Sequence, residues 1–173
     1  AEGPDGLLSP LVPAAGLWSA ERRQDAHRAA AALMAPGEPG RMQHLAAAHD
    51  LEAMVSESLQ IAERLWALGA LGRARAALTE GLAAARALDD AIPATLLARL
   101  ARVALAENTV LALETTVYEF GRQRTGPEQR DTLALLSVAL DAQRAVGARN
   151  LDRLTALDPF DDPDFERARL ALE

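Results

Sequence analysis

Residues 55–82 read VSESLQIAERLWALGALGRARAALTEGL, and the fold turns on how that run divides. Gly69 stands in its middle. Ahead of it Ser58, Ile61, Ala62 and Leu65 recur at the three- and four-residue spacing of an amphipathic helix face; behind it Leu71, Ala74, Leu78, Leu82 and Leu88 form a second stripe. A glycine between two such stripes ends the first helix. Two helices joined by so short a turn run antiparallel. Gly81 falls inside the second helix, where glycine costs about 1 kcal/mol against alanine. A second helix passing close over that position accounts for it.

Outward from this hairpin the same punctuation recurs. Gly69, Asn108 and Gly147 stand 39 residues apart, the pattern of a helix–turn–helix unit repeated along an α-solenoid. Ser19 is an N-cap for a helix over residues 20–34, which Ala35-Pro36-Gly37-Glu38-Pro39-Gly40 breaks. Residues 41–68 form either one helix or two, with Asp50 as a cap or an exposed side chain. Asp89-Asp90 caps a helix over residues 92–107 with Pro93 in its first turn, and another helix follows over 109–122. Thr125-Gly126-Pro127-Glu128 fits a capping box and opens a helix that runs to Val146. A short helix carries Leu151 and Leu154, and Asp162-Pro163-Asp164 starts the last. Residues 1–18, dense in glycine and proline, are an irregular lead-in, and residues 19–173 a single helical-repeat domain.

Composition agrees. The chain holds 39 alanines and 29 leucines among 173 residues, and aromatics are only 3%. Alanine and leucine lose little rotamer freedom in a helix, whereas the residues that favour strands are scarce. The expected class is all-α: antiparallel helix hairpins stacked as a short superhelix. A formal charge of −7 argues against nonspecific nucleic-acid binding, which needs a basic face. No run approaches the ~18 apolar residues of a membrane span. With no cysteine, disulfides and thiolate chemistry are excluded. The chain opens at Ala1-Glu2; a boundary within a longer cytoplasmic protein is the preferred reading, with a processed exported terminus the other.

Residues 55–82 resemble a tetratricopeptide repeat. With Gly69 at the turn, Ile61, Ala62 and Leu65 supply the large–small–large face of the first helix, and Leu71, Ala74, Leu78, Gly81 and Leu82 supply the second. Leu157-Asp158-Pro159 resembles a repeat junction, with Phe165 near the family's large aromatic of the next first helix. The 39-residue period is longer than the ~34 of that family. The resemblance implies a groove for peptide partners on the inner face of the first helix, carried here by Ser56, Leu59, Glu63 and Trp66. The acid and the aromatic imply an apolar or basic protein segment as partner, and tryptophan is a frequent hot-spot residue. Burial of Trp66 between hairpins is the competing reading.

No catalytic constellation is present, and neither a cofactor nor a metal is expected. His44 and His49 are five residues apart, not the three or four of a helical metal pair, and no glutamate precedes a histidine by three. Asp158, Asp161, Asp162 and Asp164 read as helix capping, Glu107, Glu114 and Glu119 as solvent-face charges, and Trp18, Tyr118 and Phe120 as packing residues. The expected function is a non-catalytic protein-interaction module, a segment of a larger bacterial regulator. The alternative is a ligand-sensing or enzymatic helical bundle with a buried apolar cavity, which a polar residue on a core stripe would favour.

Overall fold

In the computed structural model, residues 18–38, 40–88, 92–122, 126–144 and 150–172 are described. Among them nine helices and no strand occur. In chain order they are α1 (Ala20–Leu33), α2 (Arg41–Ala47), α3 (Leu51–Ala67), α4 (Leu71–Ala87), α5 (Ala94–Glu107), α6 (Val110–Gly121), α7 (Pro127–Gln143), α8 (Asn150–Thr155) and α9 (Pro163–Leu172). The chain falls into two compact units, Ala1–Asp50 and Leu51–Glu173. The expected lead-in up to residue 17, the Asp89-Asp90 cap, Thr125 and the turn at Gly147 lie outside the described residues.

The first unit is the α1–α2 pair. Ser19 caps α1, its hydroxyl accepting from the Arg22 N–H at 3.2 Å. Ala31 is the buried residue of α1, and Met42 and Leu45 are the buried residues of α2. Polar contacts fix the pair: Arg41 Nε donates to the Ala31 carbonyl at 3.1 Å, and the Nδ1 atoms of His27 and His44 lie 2.9 Å apart.

Residues 41–68 are two helices. The break has a specific geometry: His49 takes a left-handed φ of 53°, its N–H donates to the Ala46 carbonyl, and the Asp50 N–H donates to that of Leu45. These two bonds are the Schellman closure of a helix C-terminus. Gly69 repeats it with φ 70°, Gly69 N–H on Trp66 and Ala70 N–H on Leu65. The α3–α4 turn thus falls where the sequence put it, and Asn108, left-handed at φ 47°, closes α5. Thr109 then caps α6, accepting from the Ala112 N–H at 3.3 Å.

In the second unit each helix from α3 to α9 packs on the next or the next but one. Besides the sequential pairs, α3 touches α5 and α5 touches α7, while α9 folds back to touch both α5 and α7. Leu78, Leu82, Leu96, Leu97, Leu100, Leu113, Phe120, Leu135, Leu136 and Leu154 are at most 2% exposed and fill the core between them. Each such leucine contributes about 1.5–3 kcal/mol by leaving water. Ion pairs tie like helices of successive hairpins: Glu63 of α3 to Arg99 of α5, and Glu119 of α6 to Arg86 of α4.

Several assignments change. Glu119 is buried at 8% exposure and paired with Arg86, and Glu107 accepts from Arg75 Nε at 2.8 Å, so neither is a solvent-face charge; Glu114 pairs with Arg144 on the surface. Glu57, Ser58 and Thr116 are polar but fully buried. For the two hydroxyls this is inexpensive, since each donates to a carbonyl of its own helix: Ser58 to Val55 at 2.7 Å, Thr116 to Ala112 at 2.8 Å. Phe120 is core, but Tyr118 is 62% exposed and Trp18 38%, each beneath an arginine (Arg122 and Arg22) instead of packed inside. The α7 start shifts by one residue: Gly126 is the N-cap, Pro127 the first helical residue, and Gln129 Oε1 accepts from the Gly126 N–H at 3.1 Å.

Candidate functional site

Ser56, Leu59, Glu63 and Trp66 follow one another along one side of α3, at spacings of three, four and three. Their environments differ. Ser56 is exposed, Leu59 is half-buried against the core, and Glu63 is exposed but engaged, Arg99 Nη1 donating to it at 2.6 Å. Trp66 is half-buried: it packs against the core cluster and also lines a cleft.

That cleft has a volume of about 280 Å³ and lies where α3, α5 and α9 meet. Trp66 comes from α3, Arg102 and Leu105 from α5, and Asp164, Phe165 and Ala168 from α9. The Arg102 guanidinium lies over the indole, its Cζ 4.8 Å from the ring centroid, within cation–π range. The same guanidinium pairs through Nη2 with Asp164. Its Nε is buried and meets no acceptor among the described residues. Glu63, Arg99, Arg102 and Trp66 also line a tight neighbouring crevice over Val103, which joins the predicted stripe to the cleft.

The local sequence explains α9's position. Asp162 caps it, its Oδ1 accepting from the Asp164 N–H at 2.8 Å, as the acidic cluster led one to expect. Glu166 closes the first turn from the other side, accepting from the Phe160 N–H at 3.1 Å and from Arg169 at 2.7 and 3.0 Å. Those hydrogen bonds, Arg169's first and Phe160's second, hold its carboxyl at about 2, well below the ordinary 4.5. Phe165, on the inward side of the turn so fixed, is 6% exposed, its ring centred 5.8 Å from that of Phe160 and tilted 53° to it.

The sequence singled out Trp66 and Glu63 as candidates, and the structure sets beside them Arg99, Arg102 and the α9 wall, which the sequence had not singled out. Arg99 and Arg102, three apart on the helix face beside Leu100 and Ala101, were the available signal for a cationic strip. A second, larger cleft of about 420 Å³ lies between α5, α7 and Phe165; Leu97, Ala98 and Phe120 line it with Thr95, Gln129 and Thr132 as its polar groups. No group of three or more potential metal ligands occurs among the described residues, and no described helix is long and apolar enough to cross a membrane. Compared with known protein families, curated proteins and solved structures, the chain matches none.

Proposed function

We propose that this chain is a non-catalytic protein-interaction module of tetratricopeptide-like type, a segment of a larger bacterial regulator, with its partner surface on the α3–α5–α7 row around Trp66. One observation carries the reading: a half-buried tryptophan under an arginine, at the meeting of three helices beside an open cleft. Tryptophan and arginine are the side chains that concentrate binding energy in protein interfaces. The row α3–α5–α7 and the left-handed turns at Gly69 and Asn108 support the repeat reading. The partner is a protein segment with apolar side chains for the Trp66–Leu105 wall. Capture by the immobilised full chain, with the Trp66→Ala chain as control, tests this; a protein held by the first and lost by the second supports it, and equal capture by both contradicts it.

A second reading, a ligand-sensing helical domain, is favoured by the 420 Å³ cleft, which falls within the range of small-molecule pockets. Titration with an apolar fluorescent dye, compared between the unaltered and Ala98→Trp chains, separates it from the first. Loss of dye binding with Trp66 partner capture intact would show that this cleft is a distinct site.

A further inference from the structure

The cleft at Trp66 is walled on one side by the chain's own α9, and the manner of its seating identifies what else fits there. Asp164 and Phe165 are adjacent in sequence and divide the work: the carboxylate takes Arg102, the ring enters the core. Only part of the arginine fork is used. Asp164 meets Nη2, while Nε is buried without an acceptor among the described residues. A carboxylate approaching side-on would engage Nε and Nη2 together, the bidentate geometry that arginine presents to carboxylates. A buried donor left unmade makes the present contact weaker than the site allows. Glu63 does not compete for Arg102 as a free acid, because Arg99 holds it at 2.6 Å.

We propose that α9 is a latch occupying the partner site in cis, and that the natural partner is a helix of another protein presenting an acidic residue followed by an aromatic. This rests on the interaction-module reading and replaces the basic partner expected from Glu63 with an acidic–aromatic one. The partner helix displaces α9, pairs side-on with Arg102 and lays its ring against Trp66 and Leu105. Asp164 is suited to release: it is only partly buried, with 21% of its side chain exposed, and it shares its charge with Arg167 at 3.3 Å.

The test uses full-length chains carrying Trp18→Phe, so that Trp66 is the sole tryptophan. The probe is a synthetic peptide with the sequence of residues 160–172, FDDPDFERARLAL. Three chains are titrated by Trp66 emission: one otherwise unaltered, one with Phe165→Ala and one with Asp164→Asn. Opening the latch should tighten peptide binding by about tenfold in both altered chains, and changing the peptide's single Asp-Phe to Asn-Phe should weaken it by about tenfold. Should Phe165→Ala lose its helical circular dichroism, Asp164→Asn, which keeps the ring in place, decides by the same ranking. Equal affinity for all three chains, or indifference to the peptide's acid, overturns the latch; so does dimerisation of the opened chains in the ultracentrifuge, which would make α9 of a second copy the occupant. A captured partner that binds the unaltered and opened chains equally would leave the interaction module standing and remove the latch alone.

Discussion

A side-chain carbon placed on Gly81 would lie 2.6 Å from the Cβ of Ser58, with the serine hydroxyl closer still. Both residues are buried, one on α4 and the other on α3, and their approach sets how closely the hairpin closes. Ser58 cannot swing away freely, since its hydroxyl is bonded to the Val55 carbonyl at 2.7 Å. Gly81→Ala should therefore destabilise the chain although alanine favours helix, and Gly81→Leu should cost about 1–3 kcal/mol through overpacking. Urea unfolding of the two variants checks this. An unchanged midpoint would mean that the hairpin yields at this point.

The same pair shows what could be read from sequence. Gly81 was legible because a mid-helix glycine on an apolar face needs a reason, and Gly69 because a glycine between two stripes has few other uses. Other features gave no such sign. The α2–α3 break depends on a left-handed His49, with no glycine or proline there to mark it. Glu119 looked like a surface acid because its partner Arg86 lies two helices earlier, and local spacing says nothing of pairs so distant. At the candidate site Trp66 was visible as an aromatic on an otherwise mixed stripe. Its other wall was not, because α9 comes from nearly a hundred residues away and reaches the cleft only through tertiary packing.

Phe120 should be among the most sensitive positions of the second unit. It is 1% exposed within the core between α5, α6 and α7, and it also lines the larger cleft. Truncation to alanine should cost about 3–5 kcal/mol from lost burial and the cavity left behind. The exposed Tyr118 two residues earlier provides the control: Tyr118→Ala should stay within about 0.5 kcal/mol. Chemical denaturation of the pair measures the contrast, and equal losses would contradict this assignment of the α6 faces.

Acid should loosen α9 through Glu166. Its folded pKa of about 2 lies below the ordinary 4.5, so the ionised form is the one that the fold favours. A depressed pKa gives a contribution that is whole above the unfolded value and lost as pH falls through the folded one. Urea midpoints followed by Trp66 emission in a Trp18→Phe chain should carry a Glu166 contribution that fades from about pH 4.5 down to about 2. Glu166→Gln should lower the midpoint at pH 6 and flatten that part of the profile. A variant profile parallel to the parent's over this window would remove Glu166 from the account.

Chelators should leave the melting temperature unchanged. The paired imidazoles of His27 and His44 offer two ligands, and no described cluster offers three. A ligand that binds only the folded state raises its stability by mass action, so stripping a structural metal would lower the melting temperature by several degrees. A drop of that kind after EDTA treatment, reversed by adding zinc, would show that the His27–His44 pair is part of a metal site.

The affinity of the Trp66→Ala chain for the captured partner tests the central claim most directly. Calorimetric titration of that partner into the unaltered and substituted chains, each first shown by far-ultraviolet circular dichroism to be folded, gives the comparison. The account predicts a loss of at least about 2 kcal/mol, roughly thirtyfold in affinity, with helicity kept. Unchanged affinity in a folded Trp66→Ala chain would contradict the placement of the partner surface, and collapse of the fold on truncation would make Trp66 a core residue and nothing more.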